Sequence, residues 1–424
     1  MSDWSARDAK VLWHPYTQHA LDPTATPVTA AAGNKLSLAD GRVLIDAISS
    51  WWCTLHGHGR EELVAAAAAQ ARTLDQVIFA GFTHEPAVTL AEQLLEVAPS
   101  GLDRVFYSDN GSTAVEVALK AAFLTARRRG DGQRRLFVAL DEAYHGDTFG
   151  AMAVGAPDPF FRECGDLLCE VLRVPPEAAA LEALMDERGH EVAAVIVEPL
   201  VQGAAGMLMH DAAFLQAARA SCDKHGAFLI ADEVMTGFGR TGALFACTKA
   251  GVRPDFLCLA KGLTGGMTPL AATLCAEEVF AAFLEPDRAR SFFHGHTFTA
   301  HPIGCAVGLA SLDLVRREDT PARLDRIGTL IEGELAGFRG RTGVAELRRT
   351  GGIVALELAD DGGYLAAMGD LLRSACRRRE DVLLRPLGKV LYAIPPSCTT
   401  DDEARTVAAA MAEVATEALA GAEA

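Results

Sequence analysis

No stretch of this 424-residue sequence comes near the roughly 18 consecutive apolar residues that a membrane-crossing helix requires. The opening MSDWSARDAK also lacks the basic-then-apolar order of a secretory leader. The expected location is the cytoplasm. Basic residues are in deficit: 39 Lys and Arg stand against 56 Asp and Glu, a net charge of −17. That field repels nucleic acid and anionic membrane surfaces, so neither is expected as a partner. It does not exclude an anionic small molecule, because helix N-termini and a few arginines can make one pocket locally positive. Cysteine pairs at metal or redox spacing are missing too. The ten cysteines are scattered without a C-x-x-C and several sit inside apolar runs, which points to reduced, buried thiols and not to disulfides or a metal centre.

What is present is a globular composition, 50% hydrophobic and 22% charged, with no internal repeat. From about residue 100 to 275, short apolar runs alternate with longer helical segments. RVFYS (104–108) precedes a helix-period stretch from Thr113 to Arg129. RLFVAL (135–140), VAAVIVEPL (192–200), FLIAD (228–232) and FLCLAK (256–261) supply further strands. Runs this uniformly apolar suit a mostly parallel sheet covered by helices on both faces. DAAFLQAARASCDKH (211–225) has helical spacing and stops at Gly226, a candidate left-handed cap, with a strand straight after it. The fold class is α/β. The sequence divides into a large domain over 49–317 and a smaller α+β domain over 318–424, with residues 1–48 packing against the smaller one.

In such sheets, ligands sit beyond the carboxyl ends of the strands. Three chemically active groups occupy those ends. Lys261 closes one apolar run and opens the glycine-rich KGLTGG; Asp232 closes another; and Asp109-Asn110-Gly111-Ser112 lies between a strand and a helix, with Thr113 and Glu116 spaced as a capping box. A sequestered lysine can form a Schiff base with an aldehyde. A carboxylate aimed at a pyridine nitrogen keeps it protonated, and a helix start binds phosphate. Taken singly, each has a plainer reading: a surface lysine, a helix cap, an ordinary turn. Together they point to pyridoxal-5'-phosphate (PLP). Tyr144 in YHGDTFGAM (144–152) is placed to stack near a ring, with Asp147 holding a neighbour. Of the adjacent pair Trp51 and Trp52, at most one can face the core if the segment is extended, leaving the other for a pocket or an interface. The histidines of FFHGHTFTAHP (292–302) lack acidic or cysteine partners at ligand spacing, so no metal is expected.

FLIADEVMTGFGRTG with LAKGLTGG resembles the class III (ω-type) PLP-dependent aminotransferases, and the likeness runs over nearly the whole chain. It implies a fold type I transferase that works as a homodimer, with active sites built at the subunit interface. By that resemblance Lys261 would bond the cofactor and move the proton, Asp232 would pair with its ring nitrogen, and Val234 would lie against the ring. Gly111 and Ser112 would bind its phosphate, helped by His296 and Thr297 of the partner subunit. Tyr144 would stack near the ring. Tyr16, Trp51, Trp52, Gly295 and Arg385 would form the substrate pocket, with Arg240 a weaker candidate. LWHPYTQ (12–18), SSWW (49–52), YHGDTFGAM and RPLGK (385–389) narrow the likeness to the branch that aminates 8-amino-7-oxononanoate to 7,8-diaminononanoate in biotin formation. HPYT and the Trp pair suit an aromatic box for S-adenosylmethionine as amino donor. HGHTF (294–298) is similar instead to lysine-using relatives. The alternatives are another ω-aminotransferase working with pyruvate and, more remotely, a PLP-binding scaffold without catalysis.

Overall fold

Seven strands make the central sheet of the computed structural model, which describes residues 4–22, 24–360, 362, 365 and 367–423. Their order is 104–108, 271–275, 256–259, 228–232, 192–197, 136–140 and 171–174. The run from 256–259 to 171–174 is parallel, while Ala271–Cys275 pairs antiparallel with both of its neighbours. The connection into that strand holds only the 3-10 turn Lys261–Thr264. A parallel return needs a crossover of a dozen residues or more, usually a helix, so the chain turns back instead. Sequence reading did not include this strand.

Period-2 alternation sends successive residues of each central strand to opposite faces. Leu229, Ala231, Leu257 and Leu259 enter one apolar cluster; Phe228, Ile230, Phe256 and Cys258 enter another on the far side. Helix Gly111–Arg128 covers the second face with Ala114, Val115, Ala118, Ala121 and Ala122, small side chains that let it lie close to the sheet. Helix Ala212–His225 covers the first and ends at Gly226, in the left-handed conformation expected of a cap (φ 68°).

The start of helix Gly111–Arg128 differs from expectation. Asn110 is the N-cap, and the reciprocal box joins Asn110 to Thr113. Thr113 and Glu116 do not form it. Asn caps well, and Gly111 enters the helix two residues ahead of the predicted start. Glu116 is thereby released to accept from the Thr148 hydroxyl (2.6 Å) and the Gly150 amide (2.8 Å).

A second apolar centre gathers Ile327, Ile331, Leu356, Leu372, Leu391, Met411 and Val414 with Ala47. It lies among the antiparallel strands 344–350, 353–358 and 390–393 and the helices 320–334, 367–377 and 401–423. The N-terminal strands 28–32, 35–38 and 43–46 join it edgewise, Val43–Asp46 pairing in parallel with Val382–Leu383. Among the described residues, no helix is long and apolar enough to cross a membrane.

The turn between strands 344–350 and 353–358 presses directly on the loop after the 228–232 strand. Gly352 N–H donates to the Arg240 carbonyl at 2.9 Å. A Cβ on Gly351 (φ 55°) would stand 2.2 Å from Gly242 N and from Thr241 C. Neither side can give, because both are backbone. Gly351→Ala should therefore cost at least about 3 kcal/mol of stability in a denaturant melt.

Candidate active site

A cavity of about 730 Å³ opens beyond the carboxyl ends of the parallel strands, and Lys261, Asp232, Val234, Gly111, Ser112, Tyr144, Tyr16, Trp51, Trp52 and Arg385 all contribute to its wall. Lys261 is half-buried, its side chain meeting solvent only partly. Its ammonium stands 4.6 Å from the Trp52 ring centre. Desolvation pulls the lysine's pKa below its ordinary value, and Asp232 and then Glu198 pull it back up.

Asp232 is the last residue of its strand and is buried. Its Oδ2 accepts from His145 Nδ1 at 2.7 Å and its Oδ1 from the Val234 amide at 3.1 Å. His145 Nε2 is buried with no partner among the described residues. Glu198 follows the strand 192–197 just as Asp232 ends the next one. Its two oxygens accept from the Tyr144 amide (3.0 Å) and the Gly203 amide (2.9 Å). Burial pushes its pKa up to about 7, with His145 opposing and the charge of Asp232 adding.

Two glycines bring the anion cradle together. A Cβ on Gly111 would meet Val234 Cγ1 at 2.7 Å, and one on Gly146 would meet Ser112 Oγ at 1.9 Å. The first turn of helix Gly111–Arg128, the 144–147 loop and Val234 therefore approach more closely than side chains allow. Ser112 Oγ accepts from the Asp147 amide at 3.2 Å, leaving its own hydrogen to give.

The outer wall is aromatic. Tyr16 and Tyr144 set their hydroxyl oxygens 2.9 Å apart, and both donate to Asp147, at 2.6 and 3.0 Å. Tyr144 also stacks on Phe161. Tyr16 meets the edge of Trp51, and the Arg385 guanidinium lies 5.2 Å over the same indole. Among the described residues Arg385 has no carboxylate within ion-pair distance. Both tryptophans reach the cavity, because the 49–52 segment is not extended: Ser49, Ser50 and Trp52 have φ of 49°, 58° and 65°. Such angles cost a residue with a side chain about 1–3 kcal/mol each. Trp52 is buried, its indole N–H on the Tyr392 hydroxyl at 2.9 Å, whereas Trp51 is exposed.

Four of the predicted residues lie elsewhere. Arg240 is fully buried behind Trp52, donating to the carbonyls of Trp52 (3.3 Å) and Pro395 (2.9 Å), so it braces the wall without entering the cavity. Gly295 and Thr297 are exposed and His296 half-buried, on a segment that does not line the cavity of its own chain; His296 Nε2 comes within 4.0 Å of Asp109. Two residues at the centre of the site, Glu198 and His145, escaped sequence reading. The signal for Glu198 was the one used for Asp232, a carboxylate closing an apolar strand. His145 carried none beyond its place between Tyr144 and Gly146.

Buried carboxylate, desolvated amine and helix-start cradle around one cavity define a site for an anionic aldehyde cofactor with a basic ring. Comparison with known proteins places the chain more closely. The family model for class III aminotransferases matches residues 16–415, and the chain belongs to that family. It is 47% identical to an adenosylmethionine-8-amino-7-oxononanoate aminotransferase of Synechococcus elongatus over 96% of this chain and 98% of the relative. The solved structure of the enzyme of that name from Methanocaldococcus jannaschii superimposes with a TM-score of 0.93 at 33% identity, covering 97% of this chain and 98% of the other. An amine transaminase from an uncultivated Pseudomonas species, in its PLP-bound form, gives 0.89 at 32% identity over 96% and 98%. The fold is that of the PLP-dependent transaminases, and PLP is the cofactor of the family. The residues fit it: Lys261 for the aldehyde, Asp232 for the ring nitrogen, the closely approached Gly111 and Ser112 for the phosphate.

Glu198 makes the site sensitive to pH. With the folded value near 7 and an ordinary value of 4.5, the stability from keeping this carboxyl neutral is complete below pH 4.5 and is lost as pH rises through 7. Between pH 5 and 8, the protein without cofactor should lose on the order of 2–3 kcal/mol more than Glu198→Gln does in urea unfolding. Parallel pH dependences would contradict the assignment.

Proposed function

We propose that this chain transfers an amino group to the ketone carbon of 8-amino-7-oxononanoate, giving 7,8-diaminononanoate, with S-adenosylmethionine as donor. The observation that carries the reading is the convergence of Lys261, Asp232 and the Gly111–Ser112 cradle on one cavity walled by Trp51, Trp52 and Tyr16. PLP, when bound, supplies an aldehyde that takes up the amino group and a ring that stores the electron pair freed at carbon.

The protein's part follows from its own groups. Desolvation holds Lys261 less basic than a free lysine, so Nζ can both accept and return the proton at the amine-bearing carbon in each half of the reaction. Asp232, fixed by His145 and the Val234 amide, keeps a proton on the ring nitrogen. The amides of Gly111 and Ser112 hold the phosphate, Val234 and Tyr144 bound the ring, and Arg385 takes the carboxylate of the oxononanoate. Trp51 and Tyr16 offer π-faces to a sulfonium and an adenine. Donor and acceptor use one site in turn, which is ping-pong kinetics.

The reading includes a homodimer in the cytoplasm, in which His296, Thr297 and Gly295 complete the site of the second copy. Large apolar side chains left exposed within the motif segments 12–18 and 292–302 support it: Trp13 at 91%, Phe293 at 68% and Phe298 at 53%. The sequence HGHTF favours one second reading, lysine as the donor.

Asp232→Ala should lower kcat by about a thousandfold while KM for the acceptor moves less than about tenfold. Amino transfer to 8-amino-7-oxononanoate should proceed from S-adenosylmethionine. Turnover with lysine alone would select the second donor, and turnover with pyruvate but none with the oxononanoate would remove the acceptor assignment.

A further inference from the structure

Ser50 carries the most unusual backbone at the site. Its φ of 58° and ψ of −70° fall in the strained γ-turn region, and Ser49 and Trp52 beside it are left-handed. Three such residues among four cannot persist unless their surroundings impose them. One buried side chain touches the segment repeatedly. Asp46, with no exposed surface, accepts through Oδ1 from the amides of Ile48 (3.3 Å) and Ser50 (2.9 Å). Its Oδ2 accepts from the Ser50 hydroxyl (2.9 Å) and from His58 Nε2 (3.0 Å).

His58 is itself anchored. Its amide and carbonyl pair with Gly33 at 2.6 and 2.9 Å. The residue before it, Gly57 (φ 93°), leaves no room for a Cβ, which would stand 2.6 Å from Cys398 Sγ. The carboxylate thus ties the end of strand Val43–Asp46 and the His58 loop to the strained turn between them. The far side of the turn is gripped as well, by Ser49 Oγ on the Ile394 carbonyl (2.7 Å) and Arg240 on the Trp52 carbonyl (3.3 Å). Those bonds fix its ends. Among the described residues the Ser50 amide bonds Asp46, and its hydroxyl bonds Asp46 and lies 3.4 Å from His58 Nε2, a histidine that Asp46 itself holds. The bend at Ser50 sets the backbone from which both indoles project.

We propose that Asp46 is a positioning residue: its carboxylate holds the strained Ser49–Trp52 turn so that Trp51 and Trp52 both face the cavity. It touches neither substrate nor cofactor. The consequence for the reaction rests on the function proposed above, whereas the grip on the turn stands on geometry alone.

Asp46→Asn keeps size and one acceptor oxygen but turns an NH2 toward groups that donate. Hydrogen exchange read by mass spectrometry, on the cofactor-loaded protein, should show protection across residues 48–53 falling by about tenfold or more, with strand 228–232 unchanged. In the same variant KM for the acceptor should rise about tenfold while kcat falls less than about threefold. The double variant Asp46→Asn/Ser50→Gly places glycine, which tolerates this conformation, at the strained position, and should bring KM back to within about threefold of the parent. Unchanged protection in Asp46→Asn would overturn the grip, and lost protection with an unchanged KM would overturn its role in placing the indoles. If Asp46→Asn does not fold, the double variant decides: a folded protein with near-parental KM supports the proposal, and an unfolded one overturns it. Absence of amino transfer by the parent would fall on the proposed function, with the exchange result still deciding whether Asp46 holds the turn.

Discussion

A half-buried amine that shares one cavity with two carboxyl groups, Asp232 and Glu198, sets the constraint on which the rest of this site depends. Desolvation favours the neutral form of Lys261, and Asp232 and Glu198 favour the charged one. The balance holds Lys261 less basic than a free lysine, which the proposed proton transfer requires, provided the carboxylates stay where they are. Asp232 stays because His145 and the Val234 amide hold both its oxygens; Glu198 stays because two backbone amides do. Parallel strands deliver all of this at one edge. Strands 192–197, 228–232 and 256–259 are neighbours, and each ends at a residue of the site or next to one.

Holding those groups is a matter of close approach more than of strong bonds. Backbone lies against side chain at Gly111 and Gly146, and against backbone at Gly351. The sheet thereby sets the cradle, and the cradle's loop sets Tyr144. Strain gathers where function needs an unusual direction: Lys261, Tyr16, Ser49, Ser50 and Trp52 all have positive φ. A relaxed 49–52 segment would send its two indoles to opposite sides. Bent as it is, it turns one onto Lys261 and the other onto Arg385.

Much of the site could be read from sequence, because strand-end chemistry survives as a run of apolar residues closed by one polar residue. That pattern located Asp232 and Lys261, the adjacent Trp51 and Trp52 and the Arg385 between apolar segments stood out by their own residues, and the family resemblance added Tyr16. The strand-end pattern would have located Glu198 had it been applied to VAAVIVEPL. The antiparallel strand 271–275 was hidden because the alanines that open AATLC weaken its strand signal and no crossover helix announces it. The helix cap slipped by three residues, from Thr113 to Asn110, because both are good caps and only the fold chooses between them. Arg240 looked like a ligand for substrate from its motif alone; its fully buried place behind Trp52 depends on contacts with residues 394 and 395, far away in sequence. His145 could not be found from spacing, since its importance lies in a 2.7 Å bond to a residue 87 positions on.

The central claim is that Nζ of Lys261 is the atom that bonds the cofactor's aldehyde. Borohydride reduction of the PLP-saturated protein, followed by proteolysis and peptide mass mapping, tests it directly. The account predicts a pyridoxyl mark on the peptide containing Lys261 and on no other lysine. An unmarked Lys261 in fully loaded protein would contradict it.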